Sequence, residues 1–123
     1  MTTALLLIAH GSRRQEANDD LVRLAALVRA RLPMAIVEIA YLELAEPTIP
    51  QGLAACRDRG ATDIRMLPYF LSEGAHVTTD LRAAREDFAA ANRGVNVTLC
   101  PPLGLHPLLV EVVLARLNES ALS

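Results

Sequence analysis

Four short apolar runs punctuate this chain, and after each of them the apolar residues switch to helical spacing. The first run, Ala4–Ala9, is continuous rather than alternating, the pattern of a strand covered on both faces. Beyond it Ala17, Leu21, Leu24 and Val28 recur at helical intervals until Pro33 stops the helix. A second strand reads from Ala35 to Leu44. Pro47 and Pro50 then mark a helix start, with Ile49, Leu53 and Cys56 on one face and Gly60 as the C-terminal cap. The third strand runs from Asp63 to about Leu67, where Pro68 ends it. Leu81, Ala84, Phe88 and Ala91 form the next stripe, closed by Gly94, and "VNVTLC" is the fourth strand. The last stretch, "LHPLLVEVVLARL", reads as a helix that is apolar on more than one side. Its Val110, Val112, Val113 and Leu114 suit a subunit interface better than a solvated surface.

Strand and helix alternating four times imply an α/β fold, a four-stranded parallel sheet with helices on both faces and right-handed crossovers. A length of 123 residues is that of one domain, expected to span residues 1–123. Its core must be aliphatic, since 52% of residues are hydrophobic but only 3% aromatic, with no Trp. A net charge of -2 and the lack of a basic tract argue against nucleic acid as a partner. Cys56 and Cys100 lie far apart without CxxC spacing, which points to buried thiols rather than a disulfide scaffold. The start, "MTTALLLIAHGS", lacks a basic n-region, and its apolar run is too short for a signal peptide or a membrane span. A cytoplasmic protein without a membrane partner is therefore expected.

In open sheets of this kind, ligands bind beyond the carboxyl ends of the strands. There "ALLLIAHGSRR" delivers His10 after the first strand, and "MLPYFLSEGAHVTTDL" delivers His76 after the third. Glu43 and Glu46 end or follow the second. Two imidazoles with carboxylates suit Co²⁺, Fe²⁺, Ni²⁺ or Zn²⁺, whereas an all-oxygen Mg²⁺ or Ca²⁺ cage would not recruit histidines. No short metal motif such as HExxH is present.

Each of these residues also has a structural explanation. A histidine at a strand end can cap a helix or satisfy loop backbone. Glu43 could be a solvated carboxylate, and Glu46 a helix N-terminal residue stabilised by the dipole. Ser72 and Glu73 could be ordinary loop groups, while Thr78, Thr79 and Asp80 would cap the third helix. His106, before Pro107 at a helix start, reads as structural. "HGSRR" has an anion-binding reading as well, with Gly11 and Ser12 ahead of a helix and Arg13 and Arg14 beside them. It lacks both GxxxxGK[ST] and GxGxxG. Two rivals to a metal-handling enzyme follow. One is a non-catalytic divalent-metal carrier or sensor using the same two histidines. The other is a phosphate-ester enzyme with His10 as nucleophile, which would want more convergent arginines than Arg13 and Arg14.

Taken together and in order, "AHGSR", "YLELAEPTI" and "PYFLSEGAHVTTDL" resemble the small, single-domain class II chelatases, the sirohydrochlorin cobaltochelatases and ferrochelatases. The resemblance covers nearly the whole chain. It implies a flavodoxin-like chelatase fold and insertion of Co²⁺, Fe²⁺ or Ni²⁺, as substrate, into the tetrapyrrole sirohydrochlorin of the cobalamin or sirohaem pathway. It implies no ATP, no redox or nucleotide cofactor, and a homodimer. By position, His10 would be metal ligand and proton acceptor, His76 the second ligand, and Glu43 the carboxylate that joins them. Glu46 and the segment Leu71, Ser72, Glu73, Gly74, Ala75 and His76 would lie against the macrocycle. The His-rich tail or loop of many short members is missing, so metal delivery by such a tail is not expected.

Overall fold

A computed structural model describes residues 1–119. The chain alternates β1 (Thr3–Ala9), α1 (Gln15–Arg31), β2 (Ile36–Tyr41), α2 (Ile49–Asp58), β3 (Asp63–Pro68), α3 (Ala75–Ala91), β4 (Asn96–Leu99) and α4 (Pro107–Asn118). All strand pairs are parallel and the sheet order is β2-β1-β3-β4. That order matches the first four strands of the flavodoxin-like arrangement, whose switch point lies between β1 and β3.

The central position of β1 explains its continuous apolar run. Ala4, Leu6 and Ile8 pack toward α2 and α3, with Leu53, Cys56, Ile64, Met66, Leu81 and Phe88. Leu5, Leu7 and Ala9 belong to the opposite cluster, with Leu21 and Ala25 of α1 and Val37 and Tyr41 of β2. Chain direction accounts for the division. The step from β1 to β2 runs one way along the sheet, and the steps to β3 and β4 run the other way, so right-handed crossovers put α1 and the α2/α3 pair on opposite faces. Gly52 lets α2 come close: a Cβ there would lie 2.8 Å from Leu6 Cδ1 and 3.0 Å from Ala40 Cβ.

Several boundaries differ from the sequence expectation. β2 ends at Tyr41 rather than Leu44, because the Tyr41 N–H donates to Pro47 O at 2.8 Å and Leu44 turns to φ 64. Sheet-like bonds nonetheless continue, with Leu42 N–H donating to Ala9 O (2.9 Å) and Glu43 N–H to His10 O (3.0 Å). α3 begins at Ala75, so Thr78, Thr79 and Asp80 lie inside the helix and do not cap it. Gly74 is the N-cap residue, without a side-chain cap. α3 ends at the Asn92 cap, two residues before Gly94. The buried stripe of α1 is Asn18, Leu21 and Ala25, one residue displaced from the expected start at Ala17. α2 matches its reading, with a Thr48/Gln51 capping box and Ile49, Leu53 and Cys56 buried.

α4 departs most from a covering helix, for none of its residues is buried. Beneath it a cavity of about 460 Å³ is walled by Leu67 and Cys100 on the sheet side and by Leu108, Leu109 and Val112 of the helix. Deeper on that face the strands carry polar groups: Asp63, held by Arg65 Nε (3.1 Å) and Asn96 Nδ2 (3.4 Å). α4 stands off the sheet across this cavity, and Leu108, Val110, Val113 and Leu114 stay in solvent. Among the described residues, no helix is long and apolar enough to cross a membrane.

Candidate metal-handling site

The site is built where β1 and β3 run out. His10 follows the last residue of β1 and is exposed. Its ring stacks on Phe70, just past β3, with centroids 4.2 Å apart and planes inclined by 24°. Phe70 is itself buried in the core cluster on the α2/α3 side, so the imidazole rests on a fixed platform. Backbone bonds tie both flanks to β1. Tyr69 N–H donates to Ile8 O at 2.7 Å, and Glu43 N–H to His10 O at 3.0 Å.

Gly11 explains the "HG" pairing. Its φ is +93°, and a Cβ there would fall 1.8 Å from the Glu43 carbonyl oxygen. Only glycine lets the chain turn beneath Glu43 at this point. The next turn is held by Asn18, whose Oδ1 accepts from Ser12 N–H (2.9 Å) and whose Nδ2 donates to Ser12 O (2.8 Å).

The remaining expected residues occupy the same rim but distinct places. Glu43 is exposed and adjoins His10 through the backbone. Leu71, Ser72, Gly74 and Ala75 are exposed and Glu73 is half-buried, its carboxylate accepting from the Thr78 hydroxyl at 3.2 Å. His76 lies in the first turn of α3 and is exposed. Glu46 turns to the α1 side, where it accepts from Gln51 Nε2 (3.1 Å) and lines a cavity of about 420 Å³ with Ser12, Arg13 and Gln15. Neither histidine lines that cavity. Among the described residues, no group of three His, Cys, Asp or Glu stands close enough to hold an ion, so His10, His76 and Glu43 are not gathered into one metal-binding cluster.

His106 is structural, as read: it is the N-cap of α4, and its Nδ1 accepts from Leu108 N–H at 3.1 Å. Of the two thiols, Cys56 is buried in α2 and Cys100, half-buried, follows the end of β4. Cys56 and Cys100 are both free, and burial, helped by Glu38, pushes the Cys56 thiol up to about 12, so it stays protonated at neutral pH.

A family model described as CbiX matches residues 4–120. The chain belongs to the CbiX family. Over 115 residues it is 35% identical to the chloroplastic sirohydrochlorin ferrochelatase of Arabidopsis thaliana, covering 94% of the chain and 51% of that protein. Over 123 residues it is 30% identical to the sirohydrochlorin cobaltochelatase of Methanococcoides burtonii, covering 94% of each. The solved structure of the sirohydrochlorin chelatase SirB from Bacillus subtilis subspecies spizizenii, in complex with cobalt, superposes with a TM-score of 0.88 at 30% identity. That match covers 98% of the chain and 52% of SirB. The chain thus spans about half the length of the plant protein and of SirB, but nearly all of the Methanococcoides protein.

Two features of this CbiX chain escaped the sequence reading. Phe70 sits inside the quoted "PYFLSEGAH" segment, and a Phe beside a histidine loop, in a chain with two Phe residues, was the available signal. Asn18 was hidden because the apolar stripe was counted from Ala17. Counting back three and seven positions from Leu21 and Ala25 lands on a polar residue among buried ones.

Proposed function

We propose that the chain acts as one chelatase domain that inserts a divalent metal, Co²⁺ or else Fe²⁺ or Ni²⁺, into sirohydrochlorin without ATP. The observation that carries this reading is the placement of an exposed imidazole, His10, on a buried aromatic platform at the switch point of the sheet, in a chain of the CbiX family. The names of its relatives supply the substrate: two of them are a sirohydrochlorin ferrochelatase and a sirohydrochlorin cobaltochelatase. Exposed Leu44 and Leu71 beside the histidine-bearing segments offer apolar surface to a flat macrocycle.

In this scheme His10 and His76 hold the incoming ion, and Glu43 joins them as the macrocycle settles. Glu46 and the segment 71–75 lie along the macrocycle's edge. Metal transfer displaces two pyrrole protons. A neutral imidazole can bind the ion or accept a proton, but not both at once. His10 therefore gives up the metal as the ring nitrogens take it and receives one of the protons, the other leaving to solvent at the open rim. No redox or nucleotide cofactor enters the scheme.

The test is to mix the pure protein with sirohydrochlorin and each of Co²⁺, Fe²⁺ and Ni²⁺, following the change in absorbance on metallation. Turnover above the protein-free rate with at least one ion is expected. Binding of the ions without turnover would replace the enzyme by a metal carrier or sensor.

The working unit in this proposal is a homodimer. The apolar side chains that α4 exposes would each contribute about 1.5–3 kcal/mol if fully buried, and a second copy is the partner of matching chemistry. The half-length match to SirB agrees with two copies doing the work of one long chain. Sedimentation at micromolar concentration is expected to show a dimer, and Val113→Glu to yield monomers. A monomeric wild type would dismiss this part.

A further inference from the structure

We infer that Asn18 is a positioning residue for His10, gripping the turn that carries the imidazole through both the N–H and the C=O of one residue, Ser12. The inference rests on the chelatase reading for its kinetic consequence, but not for its geometry. Asn18 is 6% exposed, a polar side chain on the buried stripe of α1 between the sheet and the helix. A buried amide must place both its donor and its acceptor, or it costs free energy. Both are used on Ser12, two residues after His10: Oδ1 accepts from its N–H at 2.9 Å and Nδ2 donates to its C=O at 2.8 Å. The Asn18 backbone carbonyl is held in turn, accepting from the buried Tyr41 hydroxyl at 2.6 Å. Tyr41 is the last residue of β2, and its own N–H donates to Pro47 O at 2.8 Å.

The brace therefore runs from the end of β2, through the first turn of α1, to the turn after β1. It does what the other contacts to that turn do not. The Glu43 N–H fixes the carbonyl of His10, and Gly11 packs under the Glu43 carbonyl, but both act from the β2 extension. Asn18 holds the far side of the glycine from the helix. With both sides pinned, the imidazole keeps its stacked position 4.2 Å from Phe70. An amide at this position supplies an acceptor to the N–H and a donor to the C=O of one residue, Ser12. Asp keeps the acceptor and turns a second oxygen toward the Ser12 carbonyl, while Leu keeps the shape and loses both bonds.

The test compares Asn18→Asp, Asn18→Leu and the milder Tyr41→Phe with wild type. Three readouts are needed: metallation kinetics, thermal unfolding, and the His10 ring-proton resonances, which stacking on Phe70 displaces by ring current. The expected result for Asn18→Asp, with the fold retained, is a fall in kcat of about 10–100-fold. KM for sirohydrochlorin should change little, and the His10 resonances should move toward free-imidazole positions. In the His10→Ala background the same substitution should cost almost nothing further. Tyr41→Phe, which leaves Asn18 itself intact, should give a smaller effect in the same direction. Unmoved His10 resonances in a folded Asn18→Asp protein, or an equal loss of rate in both backgrounds, would overturn the assignment. A wild type that moves no metal into sirohydrochlorin would sink the chelatase reading instead, while the resonance shift would still decide whether the brace exists.

Discussion

Replacing His10 by alanine is expected to slow metallation of sirohydrochlorin by about 10²–10⁴-fold, the share that a positioned general base supplies, while the protein stays folded. The imidazole is exposed and stands outside both hydrophobic clusters, so its removal opens no cavity in the core. The stability cost is confined to the lost stacking on Phe70, about 0.5–1.5 kcal/mol for an aromatic pair. The two effects are thus separated by orders of magnitude, and this makes the variant informative. Steady-state metallation followed by absorbance, beside a urea unfolding curve, measures both. A His10→Ala protein that turns over near the wild-type rate would remove His10 from the chemistry altogether.

The second large effect is expected at Gly11. A methyl group there would sit 1.8 Å from the Glu43 carbonyl oxygen on a residue whose φ is +93°. Neither half of that conflict can relax alone. Moving the turn breaks the Glu43 N–H bond to His10 O, and moving Glu43 pulls apart the extension of β2. Backbone strain of about 1–3 kcal/mol and overpacking of similar size together predict a loss of about 2–6 kcal/mol for Gly11→Ala. Metallation should fall with it, since His10 is the adjoining residue. Chemical denaturation and the absorbance assay check the pair. Wild-type stability in this variant would show that the turn is looser than its contacts imply.

How much of this was legible beforehand differs by level. The order of elements and the parallel sheet were readable because a central strand buried on both faces must be apolar throughout, and Ala4–Ala9 is. Ends of elements were less readable. β2 stops where Pro47 O captures the Tyr41 N–H, a long-range bond that local propensity does not report. α3 starts ahead of its obvious capping residues because Gly74 leads into it with no side-chain bond at all. At the site, the rim positions of His10, Glu43 and His76 followed from strand order, but the stacking of His10 on Phe70 did not. Ring contacts across the ends of two strands depend on register, and register is settled by tertiary packing. The polar clamp by Asn18 was masked for a related reason: a helical wheel one residue out of phase turns a buried amide into a surface one.

The two histidines are mounted very differently. His10 stands at the end of a central strand that is laced to neighbours on either side, and Gly11 and Ser12 are held beyond it. His76 sits in the first turn of α3, entered through a segment, Leu71–Ala75, in which, among the described residues, no N–H donates to another backbone group. In the proposed chelation, a cation would meet one ligand set by the sheet and another carried at the start of a helix.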